Sequence, residues 1–149
     1  MRYISASTPH DMEIFLAKMA TEFATVGARV YLDLYVDEPL TDEQARKTFE
    51  RISEAARQRH EKPSRWRLLG RRDPLMGVEL ALTQDENVKH FSRLAHRVIN
   101  AEAWQGEHQL FGTIESSVRV WVDMPDEVIQ RALAATEADG ATVRAEASL

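Results

Sequence analysis

The chain has 149 residues, 44% of them hydrophobic and 29% charged, with a formal net charge of −5. That profile fits a single domain over residues 1–149 with enough mass to bury a core. It has no cysteine, which excludes disulfides, thiolate metal sites and thiol nucleophiles; with no apolar leader at the start and no membrane-length apolar run, the expected setting is cytoplasmic, without a membrane partner.

Residues 1–6 are apolar enough for a first strand. Thr8-Pro9-His10-Asp11 marks a helix start, with Thr8 as cap, Pro9 in the first turn and Asp11 at the capping-box position. Met12, Phe15, Leu16, Met19, Phe23 and Val26 then recur at helical spacing until Gly27, a stripe that reads as core.

Residues 29–37 alternate strictly. Val30, Leu32, Leu34 and Val36 form one aliphatic face; Tyr31, Asp33 and Tyr35 form the other. Period two predicts a strand with its aliphatic face on the core. The opposite face, two tyrosines around a carboxylate, reads as a binding surface or a second packing layer.

Thr41-Asp42-Glu43-Gln44 predicts a second capping box, opening a helix with the narrow stripe Ala45, Phe49, Ile52 and Ala56. That helix ends near His60, ahead of Pro63. Here the charge changes sign. Residues 1–44 carry 3 basic and 8 acidic side chains, residues 45–72 carry 10 and 3, and residues 73–149 carry 6 and 13. A basic segment in an acidic chain is either a solvated face paired with carboxylates or an anion-binding patch.

Residues 64–72 predict a short strand with Trp66 and Leu68 opposite Arg65 and Arg67, followed by Arg71, Arg72 and a turn at Asp73-Pro74. Val78, Leu80 and Leu82 predict its hairpin partner. A third helix follows from residue 84 or 85, burying Val88, Phe91, Leu94 or Ala95, and Val98, with Lys89, Arg93, His96 and Arg97 on its exposed side. Residues 100–109 read as a polar connection. Residues 110–113 and 117–122 read as a strand pair, with Arg119, Trp121 and Asp123 opposite Val118, Val120 and Val122. Pro125 opens a fourth helix that ends at Gly140, and residues 142–147 predict an edge strand or a frayed tail.

The predicted order is β-α-β-α-β-β-α-β-β-α-β. Its first seven elements share their order with a thioredoxin-like fold, without the redox cysteines. One-sided alternation fits a two-layer α+β domain better, with helices on one face of a mostly antiparallel or mixed sheet.

No Gly-rich phosphate loop, GxSxG elbow or HExxH pair occurs, and His10, His60, His90, His96 and His108 lack ligand spacing. The expectation is a chain with no cofactor, no metal and no catalytic residue. His108 beside Glu107 is a candidate acid/base pair. Asp33, with Glu79, Glu115 or Asp123, is the candidate centre of a small metal-dependent hydrolase or nuclease. The alternative for Asp33 is an ion pair with an arginine such as Arg119 across the sheet.

Aromatic and arginine residues make the other constellation: Tyr31, Asp33, Tyr35, Arg65, Trp66, Arg67, Arg71, Arg72, Arg119 and Trp121. Such residues dominate protein interfaces, and they also stack bases and hold phosphates. The leading expectation is a non-catalytic binding or regulatory protein that meets a protein partner, or itself, through the aromatic sheet face and the basic segment. A single-stranded nucleic-acid or ribonucleoprotein-binding module is the alternative.

Overall fold

Thr8 caps the first helix by accepting the Asp11 N–H at 3.1 Å, and Pro9 occupies its first turn. This helix, α1 (Pro9–Thr25), buries Met12, Phe15, Leu16, Met19, Ala20 and Phe23. Its end is a Schellman motif: Gly27 takes a φ of 69°, while the Ala28 and Gly27 N–H groups return to the Phe23 and Ala24 carbonyls.

The computed structural model describes residues 1–61 and 73–147. Around α1 stand β1 (Arg2–Ala6), β2 (Arg29–Asp33), α2 (Glu43–Glu61), β3 (Val78–Leu80), α3 (Asp85–Leu94), β4 (Asn100–Gln105), β5 (His108–Thr113), β6 (Arg119–Val122), α4 (Asp126–Ala138) and β7 (Val143–Glu146). The result is a single α+β domain in which the described strands form one seven-stranded sheet in the order β3-β2-β4-β5-β6-β1-β7. Every neighbouring pair is antiparallel. The predicted strand over residues 64–72 lies outside the described residues.

Alternation decides which face is covered. Leu80, Val30, Ala103, Phe111, Val122, Val120, Ile4 and Val143 all bury into the cluster that also takes the apolar stripes of the four helices. Leu34 lies just beyond β2, 1% exposed, with its N–H on the Leu75 carbonyl at 2.7 Å. The expected burial of Val30, Leu32 and Leu34 with Phe15, Met19 and Phe23 is therefore observed, and Val36 is half-buried beside them.

Three local expectations are corrected. Residues 100–109 hold β4, the hairpin turn and the start of β5, rather than a connection. Gly106 has a φ of 60°, as the first position of a tight two-residue hairpin turn requires. At the start of α2 it is the Asp42 carboxylate that accepts the Ala45 N–H, at 2.7 Å. That hydrogen bond, helped by the charges of Arg97 and Arg93, keeps Asp42 below the usual carboxylate range. Lastly, α3 stops at Leu94, and the turn after it carries His96 inward to 3% exposure instead of onto the solvent side.

Burial and the neighbouring Arg97 push the His96 pKa down to about 3, and contacts with the backbone of Pro9 and Ser92 offset only part of this. In the unfolded chain the same ring protonates near pH 6.5, so acid favours unfolding between those two values. The expected loss from this group is about 1.4 kcal/mol per pH unit below pH 6.5. Urea midpoints at pH 7 and pH 5 should converge in His96→Gln relative to the parent chain; an equal pH dependence in both refutes the assignment. For the core, Leu34→Ala is expected to lower stability by about 2–5 kcal/mol in urea unfolding.

Candidate binding face

On the side away from the helices, cross-strand register lines up one residue from each strand: Glu79, Tyr31, Glu102, Gly112, Trp121, Tyr3 and Glu146. Among the described residues no helix packs over this row. Directly opposed side chains on an antiparallel pair touch, and here Tyr31 stands between the carboxylates of Glu79 and Glu102, while Trp121 and Tyr3 are neighbours between Gly112 and Glu146. Trp121 lies flat across the sheet because its neighbour is Gly112. A Cβ at that position would fall 2.5 Å from Trp121 Nε1.

Arginines close both ends of the row. Arg29 donates two hydrogen bonds to Glu79, at 2.8 and 2.7 Å, and holds the Glu79 pKa below its ordinary value. At the other end Arg119 donates to Glu146 at 3.1 and 2.6 Å. Glu146 also accepts the Ser5 hydroxyl, the larger cause of its lowered pKa. Each guanidinium also lies over a ring, Arg119 at 4.6 Å from the Tyr3 centroid and Arg29 at 5.9 Å from that of Tyr31.

Between these ends the face dips into a hollow of about 580 Å³ walled by Tyr31 and Trp104. Asp33 and Glu102 form its polar side, with Asn100 between them. Asp33 accepts the Gly77 N–H at 2.7 Å and Asn100 Nδ2 at 3.2 Å. Glu102 accepts Asn100 Nδ2 at 3.2 Å and Trp104 Nε1 at 2.8 Å. All of these donors are neutral.

The chain has no match among family models, curated proteins or solved structures.

Of the residues singled out from sequence, Tyr31 and Asp33 share the hollow, while Arg119 and Trp121 lie on β6, beyond β4 and β5 on the same face. Tyr35 is not on that face as a strand residue. The strand ends at Asp33, and the exposed Tyr35 hydroxyl bonds the Asp73 carboxylate, which raises its pKa. Arg65, Trp66, Arg67, Arg71 and Arg72 lie outside the described residues. Asp33 has no ion pair with Arg119, whose guanidinium is held by Glu146. Glu79 faces Arg29, Glu115 follows β5 in a loop, and Asp123 lies just past β6, where it binds the N-terminal ammonium and His108 Nε2, both at 2.9 Å. His108 thus partners Asp123 rather than Glu107. Among the described residues no group of three histidine or carboxylate side chains is placed to hold a metal.

The basic stretch of α2 is largely paired. Lys47 meets Glu43 at 3.1 Å, Arg51 meets Glu86 at 3.0 Å and Arg57 meets Glu54 at 3.9 Å. All three pairs are exposed, as the pairs on a solvated face are.

Glu102, Trp104, Asn100 and Gly112 were not singled out from sequence. The signal was present in Ala101-Glu102-Ala103-Trp104, which alternates with period two, but alanines make a weak apolar face. Because the indole needs the space above Gly112, Gly112→Ala is expected to destabilise the fold by about 1–3 kcal/mol and to shift tryptophan fluorescence. Emission and stability both unchanged refute the stacked arrangement.

Proposed function

We propose that this is a binding protein which engages a protein partner through the helix-free face of its sheet, with no catalytic step there. The observation that carries the reading is the band of half-buried rings, Tyr3, Tyr31, Trp104 and Trp121, on a face that no described helix covers. Aromatic side chains give large contact area for little entropy and dominate interface energetics.

The alternatives find less support on this face. Nucleic acid needs free cations among the rings to meet phosphates, whereas Arg29 and Arg119 are each bound to a carboxylate. Hydrolysis centred on Asp33 would have to use Glu102, the other carboxylate held by Asn100, as its second acid or base, and the donors that hold the two are all neutral: the Gly77 N–H, the Asn100 amide and the Trp104 indole. The expected cytoplasmic setting and partnership without a membrane belong to the same reading; among the described residues no helix is long and apolar enough to cross a membrane.

The test compares the proteins retained by the immobilised chain with those retained by the Trp104→Ala/Trp121→Ala variant, checked for fold by circular dichroism. Loss of specific partners from the variant is expected. Retention that ignores both tryptophans refutes the reading. Light scattering over a concentration series separates self-association from a foreign partner, and a salt-dependent oligonucleotide affinity that survives in the variant favours nucleic acid.

A further inference from the structure

We propose that the partner presents a basic segment and seats an arginine or lysine side chain in the hollow between Tyr31 and Trp104, against Asp33 and Glu102. This inference rests on the sheet face being the docking surface and adds what kind of partner fits it.

Charge complementarity carries the argument. At the two ends of the face, carboxylate meets arginine within the chain: Glu79 with Arg29, Glu146 with Arg119. In the hollow the pattern breaks. Among the described residues neither Asp33 nor Glu102 has an ion pair, and no lysine or arginine lines the hollow, while Glu107 adds a third carboxylate at its edge. The Gly77 N–H, Asn100 and the Trp104 indole orient the two carboxylates without neutralising them. Two aimed anions facing no cation leave a countercharge to be supplied from outside.

The walls suit the same occupant. A guanidinium or ammonium gains from aromatic faces as well as from carboxylates; Trp104 lines the hollow beside the acids, and so does Tyr31, whose ring Arg29 already approaches. The same chain shows the arrangement twice, in Arg29 over Tyr31 with Glu79 and in Arg119 over Tyr3 with Glu146. At Trp104 the hollow holds the ring and the carboxylates of that motif, and no lysine or arginine is among the described residues lining it. An anionic or purely apolar ligand would leave the carboxylates buried beside it without compensation.

The experiment titrates the full chain, labelled with nitrogen-15, with a hexa-arginine peptide and with a hexa-glutamate control, following the Trp104 indole N–H resonance. Hexa-arginine should move that resonance saturably, more weakly as salt rises, and hexa-glutamate should not. Asp33→Asn and Glu102→Gln keep acceptor oxygens for Gly77 and Trp104 while removing the charge, so the fold should hold and affinity should drop about tenfold or more. An unmoved Trp104 resonance overturns the proposal, as does equal affinity in the neutralised variants. A concentration-dependent shift without peptide also overturns it, in favour of a second copy. Partners that are lost with Trp104→Ala/Trp121→Ala yet kept by the neutralised variants leave the docking face standing and defeat this inference alone; partners kept by both defeat the docking face as well.

Discussion

Phe23, Phe91 and Phe111 meet at ring-centroid distances of 5.7 to 6.2 Å and tie α1, α3 and β5 together. Each belongs to a different element, so the contact fixes which side of the sheet the helices occupy. Phe111 is opposed by Ala103 on β4 and Val122 on β6. Small residues on the one side and a branched one on the other leave room for α1 to settle close to the sheet. Because strand side chains alternate, committing Phe111 inward also commits Gly112 outward. The outer face is thus the complement of the core: moving the register by one residue would bury Tyr31, Glu102 and Trp121 and expose Val30, Ala103 and Val122.

That coupling explains why the outer face is ordered although no described helix covers it. Its rings and charges are held laterally. Gly112 admits the Trp121 indole, Arg119 spans Tyr3 and Glu146, and Asn100 bridges the two carboxylates of the hollow. Each is a cross-strand or same-face contact of ordinary strength, and together they preset side chains that would otherwise lose rotamer freedom on meeting a partner.

Long apolar stripes and caps were readable from the sequence because they are local. Thr8-Pro9 with the stripe from Met12 to Phe23 defines α1, and strict alternation around Val30 and Leu32 defines β2 with its covered face. What escaped depends on distance in the chain. Trp104 and Tyr31 come together only through the β2–β4 pairing, which no local pattern announces. His96 was misplaced because helical spacing was extended past Leu94, where the helix in fact stops. Tyr35 and Asp33 looked alike by alternation until the end of β2 at Asp33 separated them.

The position of β1 has a bearing on how the chain assembles. It lies between β6 and β7, with Ile4 opposite Val120 on one side and Ala145 on the other. On the ribosome, at about 5–20 residues per second, the first strand waits on the order of ten seconds or more for the last to emerge. Until β6 emerges both of its edges lack native partners, and the β7 edge lacks one until the end, a state in which nascent segments are open to capture by chaperones or by each other. The half of the sheet formed by β2, β3, β4 and β5 can pair before the last strand emerges, so closure of β1 between β6 and β7 is the step that couples the chain's two ends.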